Sequence, residues 1–266
     1  MQLTKGIDVS YAQGKGLPWD LIKKSGIEFV IARAGHGVTP DATFKPNIYA
    51  AANAGLFTGA YWFFEADHDP TDQAHLLFEA ALQTSMVPYL DFETLEGRPW
   101  QEALHAGEEC AHELIRLRES SPPLLYTCYN FWEAILHNPE NSLLAELDLW
   151  VAHYGVKSPL IPTPWRKPGR GWRLWQYDGD GGERLPDGRD SDFIWMDGSP
   201  QMFAWGQGSC PGQLCEGPKT SRTEANSLID KSLVSGWVQG SLDRSAEDIV
   251  DEQAAARREA SKNRDD

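Results

Sequence analysis

Short apolar runs alternate with amphipathic segments along much of this chain, and this alternation constrains the fold more than any other feature. Five runs with strand character are each followed by a segment with helical character. This spacing predicts parallel strands joined by right-handed crossovers. After residue 143, strand patterns continue without long helices between them. The predicted strands are residues 3–9, 28–34, 57–64, 86–92, 124–127, 147–152, 173–177 and 192–195, and the predicted helices are residues 19–25, 43–54, 71–84, 100–118 and 130–136.

The number and order of these elements predict the fold class. They indicate an α/β fold, an irregular TIM-like barrel with five βα units followed by three strands. An open doubly wound sheet is the alternative, but no glycine-rich phosphate loop follows the first strand. Residues 1–205 form the predicted barrel. Residues 206–266, where Gly, Ser and Pro and then charged residues dominate, form a predicted C-terminal appendage that is polar and partly disordered or helical.

The composition argues against several classes of partner. The 266 residues carry a net charge of −15, which disfavours nucleic acid or an anionic membrane surface as the main partner. No apolar stretch approaches the roughly 18 residues of a membrane span, and no secretory signal begins the chain. The 11 Trp exceed what packing needs, and flat aromatic faces suit stacking on sugar rings.

The cysteines and histidines predict neither a metal site nor a cofactor. Cys110 and Cys128 are predicted to be small buried hydrophobic residues. Cys210 and Cys215 share one short segment, where they could form a disulfide or stay reduced. No second pair of Cys or His stands at the spacing of a zinc site, and the histidines are predicted to be loop or wall residues.

Two acids stand together in Asp91-Phe92-Glu93, at the end of the fourth predicted strand. Because alternate side chains of a strand share a face, Asp91 and Glu93 project together, with Cα atoms about 6.5 to 7 Å apart. Glycoside hydrolysis uses such a pair, one carboxyl protonated and the other ionised. The plainer alternative is a solvated strand end whose acids discourage edge pairing. These three residues alone leave both interpretations open.

The ends of the predicted strands carry acids and aromatic residues, which is the composition of a sugar-cleaving cleft. In a parallel barrel the catalytic groups stand at the C-terminal strand ends. The candidate acids there are Asp8, Asp91, Glu93, Asp190 and Asp192. The candidate substrate-binding residues are Arg33, Tyr61, Phe63, Tyr126, Trp150, Tyr154, Trp175 and Gln176. Three of these, Phe63, Trp150 and Trp175, are expected to be half core and half cleft floor, and Arg33 fits a structural ion pair equally well.

Several short motifs follow one another in order between residues 5 and 199. They are Gly6-Ile7-Asp8-Val9-Ser10, Phe29-Val30-Ile31-Ala32-Arg33-Ala34, Gly59-Ala60-Tyr61, Asp91-Phe92-Glu93, Tyr126-Thr127, Trp150-Val151-Ala152-His153-Tyr154 and Trp175-Gln176-Tyr177. Each motif is weak alone, but together they resemble the glycoside hydrolase family 25 lysozymes, phage endolysins among them. The resemblance implies an N-acetylmuramidase, which cleaves the β-1,4 bond between N-acetylmuramic acid and N-acetylglucosamine in peptidoglycan.

The resemblance also implies roles for the acids. Glu93 would be the general acid, with its pKa raised by the nearby charge of Asp91, which would itself stay ionised. Asp91 would either hold the substrate's 2-acetamido group while that group attacks the anomeric carbon, or face a water for direct displacement. Asp8 would orient groups or stabilise charge.

Two positions depart from the family pattern. Trp62 stands where the family usually has His, which would change either the site or only its wall. The family's final acid lies in a Val-Asp motif, and here Asp190 and Asp192 both occupy that segment. The distance back from residues 196–199 favours Asp192, and both remain candidates.

Two alternatives to a muramidase stay open, a catalytically silent peptidoglycan-binding module and a barrel glycosidase for another polysaccharide. The combination of Asp8, Asp91 and Glu93 argues against the first, because binding alone does not need clustered acids. The predicted partner is the glycan strand of peptidoglycan, and the predicted state is a monomer. Without a signal, the protein is expected to be made in the cytoplasm and to reach the bacterial cell wall after a partner opens a lesion in the membrane.

Overall fold

The computed structural model describes residues 3–118, 122–179 and 181–204 of the chain. The predicted appendage over residues 206–266, with Cys210 and Cys215, lies outside the described residues. The strands of the described part are β1 (Leu3–Val9), β2 (Phe29–His36), β3 (Thr39–Pro40), β4 (Phe57–Phe63), β5 (Tyr89–Asp91), β6 (Leu124–Cys128), β7 (Asp148–Ala152), β8 (Trp172–Asp178) and β9 (Asp192–Asp197). The α-helices there are α1 (Trp19–Lys24), α2 (Phe44–Asn53), α3 (Pro70–Ala81) and α4 (Trp100–Arg118).

Eight strands close into a barrel, which confirms the predicted fold class. Strands β1, β2, β4, β5, β6, β7 and β8 run parallel in chain order, and β9 closes the ring by pairing antiparallel with both β8 and β1. Because β9 runs in the opposite direction, its first residue lies at the rim where the other strands end. Asp192 therefore pairs directly with Asp8 of β1.

The structure departs from the predicted elements in three places. Strand β5 covers three residues and not residues 86–92, because Pro88 has no N–H to contribute to the sheet. The fifth predicted helix is a π-helical turn, Phe131–Ile135. The two-residue strand β3 pairs with the end of β2 and stands outside the ring. None of these differences moves the carboxyl ends of the parallel strands.

Large side chains fill the barrel interior, so it is a packed core and not a pore. Trp150 of β7 is 2% exposed and meets three tyrosines edge-on. Its ring centroid lies 4.8 Å from that of Tyr126, 5.5 Å from that of Tyr89 and 6.3 Å from that of Tyr61. Such pairs contribute about 0.5–1.5 kcal/mol each beyond the apolar area they bury. This aromatic cluster forms the floor beneath the carboxyl rim.

A second apolar layer lies between the strands and the helices. Its large members include Trp62, Phe64, Phe92 and Trp132, all of them fully buried. Phe92 contacts Phe64 edge-on, with ring centroids 5.5 Å apart. Phe92 is thus anchored on the outer side of the barrel, between the two acids at positions 91 and 93. Of the helices in the described part of the chain, none has the length and apolar character to cross a membrane.

The last described residues still belong to the barrel. Phe203 is buried, its carbonyl accepts a hydrogen bond of 2.8 Å from the Val87 N–H, and Ala204 pairs with Met86.

We predict that truncation after Trp205 changes the melting temperature by less than about 5 °C, because the removed sequence lacks the apolar pattern of a core. Thermal unfolding measures this. Truncation after Pro200, which removes Phe203, is the control and should lower the melting temperature well beyond that limit.

Candidate active site

Four carboxyl groups meet at one rim of the barrel. Asp8 lies near the end of β1, Asp91 ends β5, and Asp192 begins β9. Glu93 follows β5 by two residues and is half-buried, whereas Asp8 and Asp91 are buried. All four acids influence the ionisation of tyrosines that line the same rim. The fold therefore brings together acids that are up to 184 residues apart in sequence.

Gln176 of β8 connects two of these acids to two tyrosines. Its Nε2 donates to Asp8 Oδ2 at 2.8 Å and to Asp192 Oδ2 at 3.3 Å. Its Oε1 accepts from the hydroxyls of Tyr126 at 2.8 Å and Tyr154 at 2.6 Å. A carboxylate can only accept, so the amide nitrogen must face the acids and the amide oxygen must face the tyrosines. Gln176 thereby fixes the spacing of Asp8 and Asp192.

Three tyrosines at this rim remain protonated. Burial raises the pKa of Tyr61, Tyr126 and Tyr154 well above the usual value, and neighbouring carboxylates raise it further. For Tyr61 the carboxylates are those of Asp8, Asp91 and Asp192, while Arg33 acts in the opposite direction. The phenols are therefore hydrogen-bond donors over the whole working range of pH. Neutral donors with apolar faces suit a polyhydroxylated ligand.

The surroundings of Asp91 raise the pKa of its carboxyl group. Burial is the main cause that raises its pKa well above the usual value, and the charges of Glu93 and Asp8 add to this, while Arg33 lowers it. Its Oδ1 is closed off from water and accepts no hydrogen bond within the described part of the chain. We predicted that Asp91 stays ionised, and its burial works against that. The charges of Glu93 and Asp8 disfavour a further negative charge on Asp91, so the protons of these acids titrate as a coupled group.

The structure leaves two predicted site residues outside this cluster. Asp190 lies in an exposed loop, where its Oδ1 is 2.7 Å from Arg184 NH1. Trp175 stands next to the inward-pointing Gln176, so alternation turns its ring to the outer layer. There its Nε1 donates to the carbonyl of His153 at 2.8 Å. Asp190 is thus a loop ion pair and Trp175 an outer core residue.

The remaining predicted residues lie at or below the rim. Phe63 is half-buried at the end of β4, in register with Asp91. Trp150 forms part of the buried floor and does not reach the surface. Arg33 forms an ion pair with Asp41. The Nε and NH2 atoms of Arg33 each lie 3.0 Å from Asp41 Oδ2. Of the two roles considered for Arg33, the structural ion pair is the one observed.

Comparison with known proteins decides which family this geometry belongs to. The model of the family described as "Glycosyl hydrolases family 25" matches residues 7–183. The chain belongs to glycosyl hydrolase family 25. The resemblance detected in the sequence motifs is thereby confirmed, and residues 7–183 include three of the four rim acids.

Named relatives of this family 25 chain are lysozymes. It is 33% identical to the autolytic lysozyme of Clostridium acetobutylicum over 160 residues, and this match covers 59% of this chain and 47% of that protein. It is 28% identical over 196 residues to lysozyme M1 of Streptomyces globisporus, covering 66% of this chain and 62% of that protein. The chain thus spans about half to three fifths of these relatives. The bacterial lysozyme structure from Streptomyces coelicolor superposes with a TM-score of 0.65 at 26% identity, covering 75% of this chain and 94% of that one.

The departure from the family pattern at Trp62 does not reach the acids. The Trp62 side chain lies in the outer layer, and its Nε1 donates to the carbonyl of Gly37 at 2.9 Å. Its terminal ring carbons also occupy the space that a side chain at Gly35 would need, 2.4 Å from an ideal Cβ. Trp62 therefore belongs to the outer apolar layer behind the rim, and its hydrogen bond connects β4 to the turn after β2.

Asp41 is the buried structural partner of Arg33 and joins three segments behind the rim. Its Oδ2 binds Arg33 and also accepts from the Tyr11 N–H at 3.0 Å. Its Oδ1 accepts from the N–H of Thr43 at 2.8 Å and from the Thr43 hydroxyl at 2.6 Å. Asp followed two residues later by Thr just before a helix is the signal of such a turn. Asp41 holds Arg33, whose charge opposes the raised pKa of Asp91.

Proposed function

We propose that this chain hydrolyses peptidoglycan by cleaving the β-1,4 bond between N-acetylmuramic acid and N-acetylglucosamine. The observation that carries the proposal is the rim of four carboxyls, with the buried Asp91 beside the more exposed Glu93. Glycosidases need one carboxyl that gives a proton to the leaving oxygen and another that stabilises positive charge at the anomeric carbon. Membership of family 25 and the lysozyme relatives support peptidoglycan as the substrate.

In this proposal Glu93 is the general acid. It is the more exposed member of the pair, so it can approach a glycosidic oxygen in the cleft. Neighbouring Asp91 and Asp8 disfavour a further negative charge at this rim until substrate arrives. Proton donation lets the C–O bond break. The departing sugar becomes an alcohol, and positive charge develops on the anomeric carbon.

Asp91 is the acidic partner of Glu93 in the proposed reaction. In the reacting complex the proton of the pair is on Glu93 and passes to the leaving oxygen as the C–O bond breaks, while Asp91 is the ionised partner beside the positive charge developing on the sugar. That carboxylate then either holds the 2-acetamido group as it attacks the anomeric carbon or directs a water to it. Asp8 and Asp192, spaced by Gln176, add negative charge on the same rim. Tyr61, Phe63, Tyr126 and Tyr154 are proposed to contact the sugar rings, and Arg33 acts through its charge.

The biological setting is also part of the proposal. The relatives' names, autolytic lysozyme and lysozyme M1, support action on the bacterial cell wall. That the chain acts as a monomer is a further part of the proposal. Release from the cytoplasm through a lesion made by a partner protein is the route that we propose. A silent wall-binding module and a glycosidase for another polysaccharide are the competing functions.

The two candidates for the final acid give a matched prediction. We expect Asp192→Asn to reduce hydrolysis of peptidoglycan on the order of tenfold to a hundredfold, because it removes charge from the rim. Asp190→Asn makes the same chemical change in an exposed loop and should leave the rate within about threefold of the parent. Initial rates on purified peptidoglycan compare them. A large loss only in Asp190→Asn would mean that the wrong acid was chosen.

Release of new reducing ends tests the proposed function against its competitors. We expect the purified full chain to release them from peptidoglycan and not from chitin or cellulose. A silent module would co-sediment with peptidoglycan without releasing any. A glycosidase of another specificity would act on one of the other polysaccharides and leave peptidoglycan intact.

A further inference from the structure

A cluster of ionisable side chains stands beside the carboxyl rim and takes no part in the proposed reaction. Glu65, Asp67 and His68 lie in the loop between β4 and α3, and His36 ends β2. One potential ligand atom from each of the three loop residues lies within 4.8 Å of the other two. We propose that Glu65, Asp67 and His68 bind a divalent transition-metal ion such as Zn²⁺, with His36 as a positioning residue. This departs from the metal-free expectation of the sequence.

The distances in the cluster suit a shared ion. His68 Nε2 lies 3.3 Å from Glu65 Oε2 and 4.0 Å from Asp67 Oδ1. Ligand atoms around a tetrahedral Zn²⁺, with bonds of about 2.0–2.1 Å, stand roughly 3.3–3.4 Å apart. The Glu65–His68 separation already meets that value, and the exposed Asp67 side chain would have to move closer to both to complete the site. Three protein ligands leave room for water as a fourth ligand of a tetrahedral ion.

The loop holds these ligands in place through other residues. The buried Gln73 side chain accepts from the Glu65 N–H at 3.0 Å and donates to the Glu65 carbonyl at 2.9 Å and the His68 carbonyl at 3.4 Å. Asp69 caps α3 by accepting from the N–H groups of Thr71 and Asp72. The ligand loop is therefore fixed at both ends, which lowers the ordering cost of binding an ion.

His36 and Gly37 complete the surroundings of the ligands. His36 Nδ1 lies 2.8 Å from Glu65 Oε1, which leaves Glu65 Oε2 directed at His68. Metal-binding groups are commonly oriented by such outer hydrogen bonds. An ideal Cβ at Gly37 would stand 2.6 Å from His68 Cδ2 and would also clash with the Glu65 carboxylate. A glycine with φ of +49° is therefore required where these side chains close over the backbone.

The donor set indicates the class of ion. Two carboxylates and one neutral imidazole would balance the charge of a divalent ion. Calcium and magnesium prefer all-oxygen sites, whereas an imidazole together with carboxylates suits zinc and its neighbours in the first transition row. The competing interpretation is that contacts between these carboxylates and the two histidines hold the loop in place without an ion.

Calorimetric titration of ZnCl₂ into the tag-free, chelator-treated full chain at pH 7 tests the proposal. We expect one ion per chain, weakened at least tenfold in His68→Asn and in Glu65→Gln. His75→Asn is the matched control, because His75 Nε2 lies 2.8 Å from Glu113 Oε1 in a similar pair elsewhere. Binding in His75→Asn should match the parent. A Cys210→Ser, Cys215→Ser double variant removes two closely spaced cysteines that could also bind zinc, and its binding should match that of the parent as well.

Several results would overturn the metal site. They are the absence of saturable binding below about 1 mM, binding that survives unchanged in both ligand variants, or binding that disappears with the two thiols. Titration at pH 5 adds a readout that does not depend on any variant. Zinc binding should weaken there, because protons compete with a metal ion for its ligands, whereas an ion-pair cluster without metal would show no zinc binding at either pH.

Discussion

Glu93→Gln should reduce peptidoglycan hydrolysis by about 10² to 10⁴ while the barrel stays folded, which is the usual contribution of general acid catalysis. The amide keeps the shape of the carboxyl and cannot supply the proton to the leaving oxygen. Binding of glycan fragments should change little, because the substitution removes a proton and not a contact surface. Initial rates on purified peptidoglycan, with circular dichroism spectra of both proteins, measure these quantities.

Glu96→Gln is the matched control for this prediction. Glu96 is exposed three residues further along the same segment, so the same chemical change there should leave the rate within about threefold of the parent. A folded Glu93→Gln protein that retains a third or more of the parent's rate would remove Glu93 from the role of general acid.

Asp91→Asn should lower the rate by on the order of 10² or more, because the reaction loses a carboxylate beside the developing positive charge. The same change should make the protein more stable at neutral pH. In the folded chain the pKa of Asp91 is raised, chiefly by burial and then by the charges of Glu93 and Asp8. The folded state then binds a proton more tightly than the unfolded chain does, so stability falls as the pH rises from the unfolded pKa to the folded one.

The sign of this linkage gives the pH dependence. Below about pH 4, where the unfolded Asp is also protonated, Asp91→Asn and the parent should have similar melting temperatures. Above that range the variant should melt higher, by an amount that grows until the folded Asp91 is ionised. Thermal unfolding from pH 3 to 8 measures this, with Asp190→Asn as the exposed control. A variant that melts lower than the parent at pH 7 would show that the charge of Asp91 stabilises the fold.

The strand and helix order could be predicted from sequence because each element has its own apolar period. The barrel follows from five βα units and three more strands. The direction of β9 could not be predicted in this way, because its short pattern is the same in either direction. That direction decides the position of Asp192, which lies at the rim only because β9 runs opposite to its neighbours.

The acids and tyrosines of the candidate site were all named from the ends of predicted strands. The sequence could not reveal their partners, because hydrogen bonds such as Gln176 to Asp8 join residues 168 positions apart. Trp175 was misplaced because strand alternation permits either face until one residue of the strand is fixed, and Gln176 fixes it. The raised pKa of Asp91 could not be predicted from the sequence, because the burial that chiefly causes it depends on packing from several strands.

Identification of the sugar at the newly formed reducing end tests the central claim most directly. Purified peptidoglycan would be digested with the full chain, reduced with borohydride and analysed by mass spectrometry, with a Glu93→Gln digest beside it. We expect fragments that end in reduced N-acetylmuramic acid from the parent protein and almost none from the variant. Fragments that end in reduced N-acetylglucosamine, or equal yields from both proteins, would refute the assignment of bond and acid.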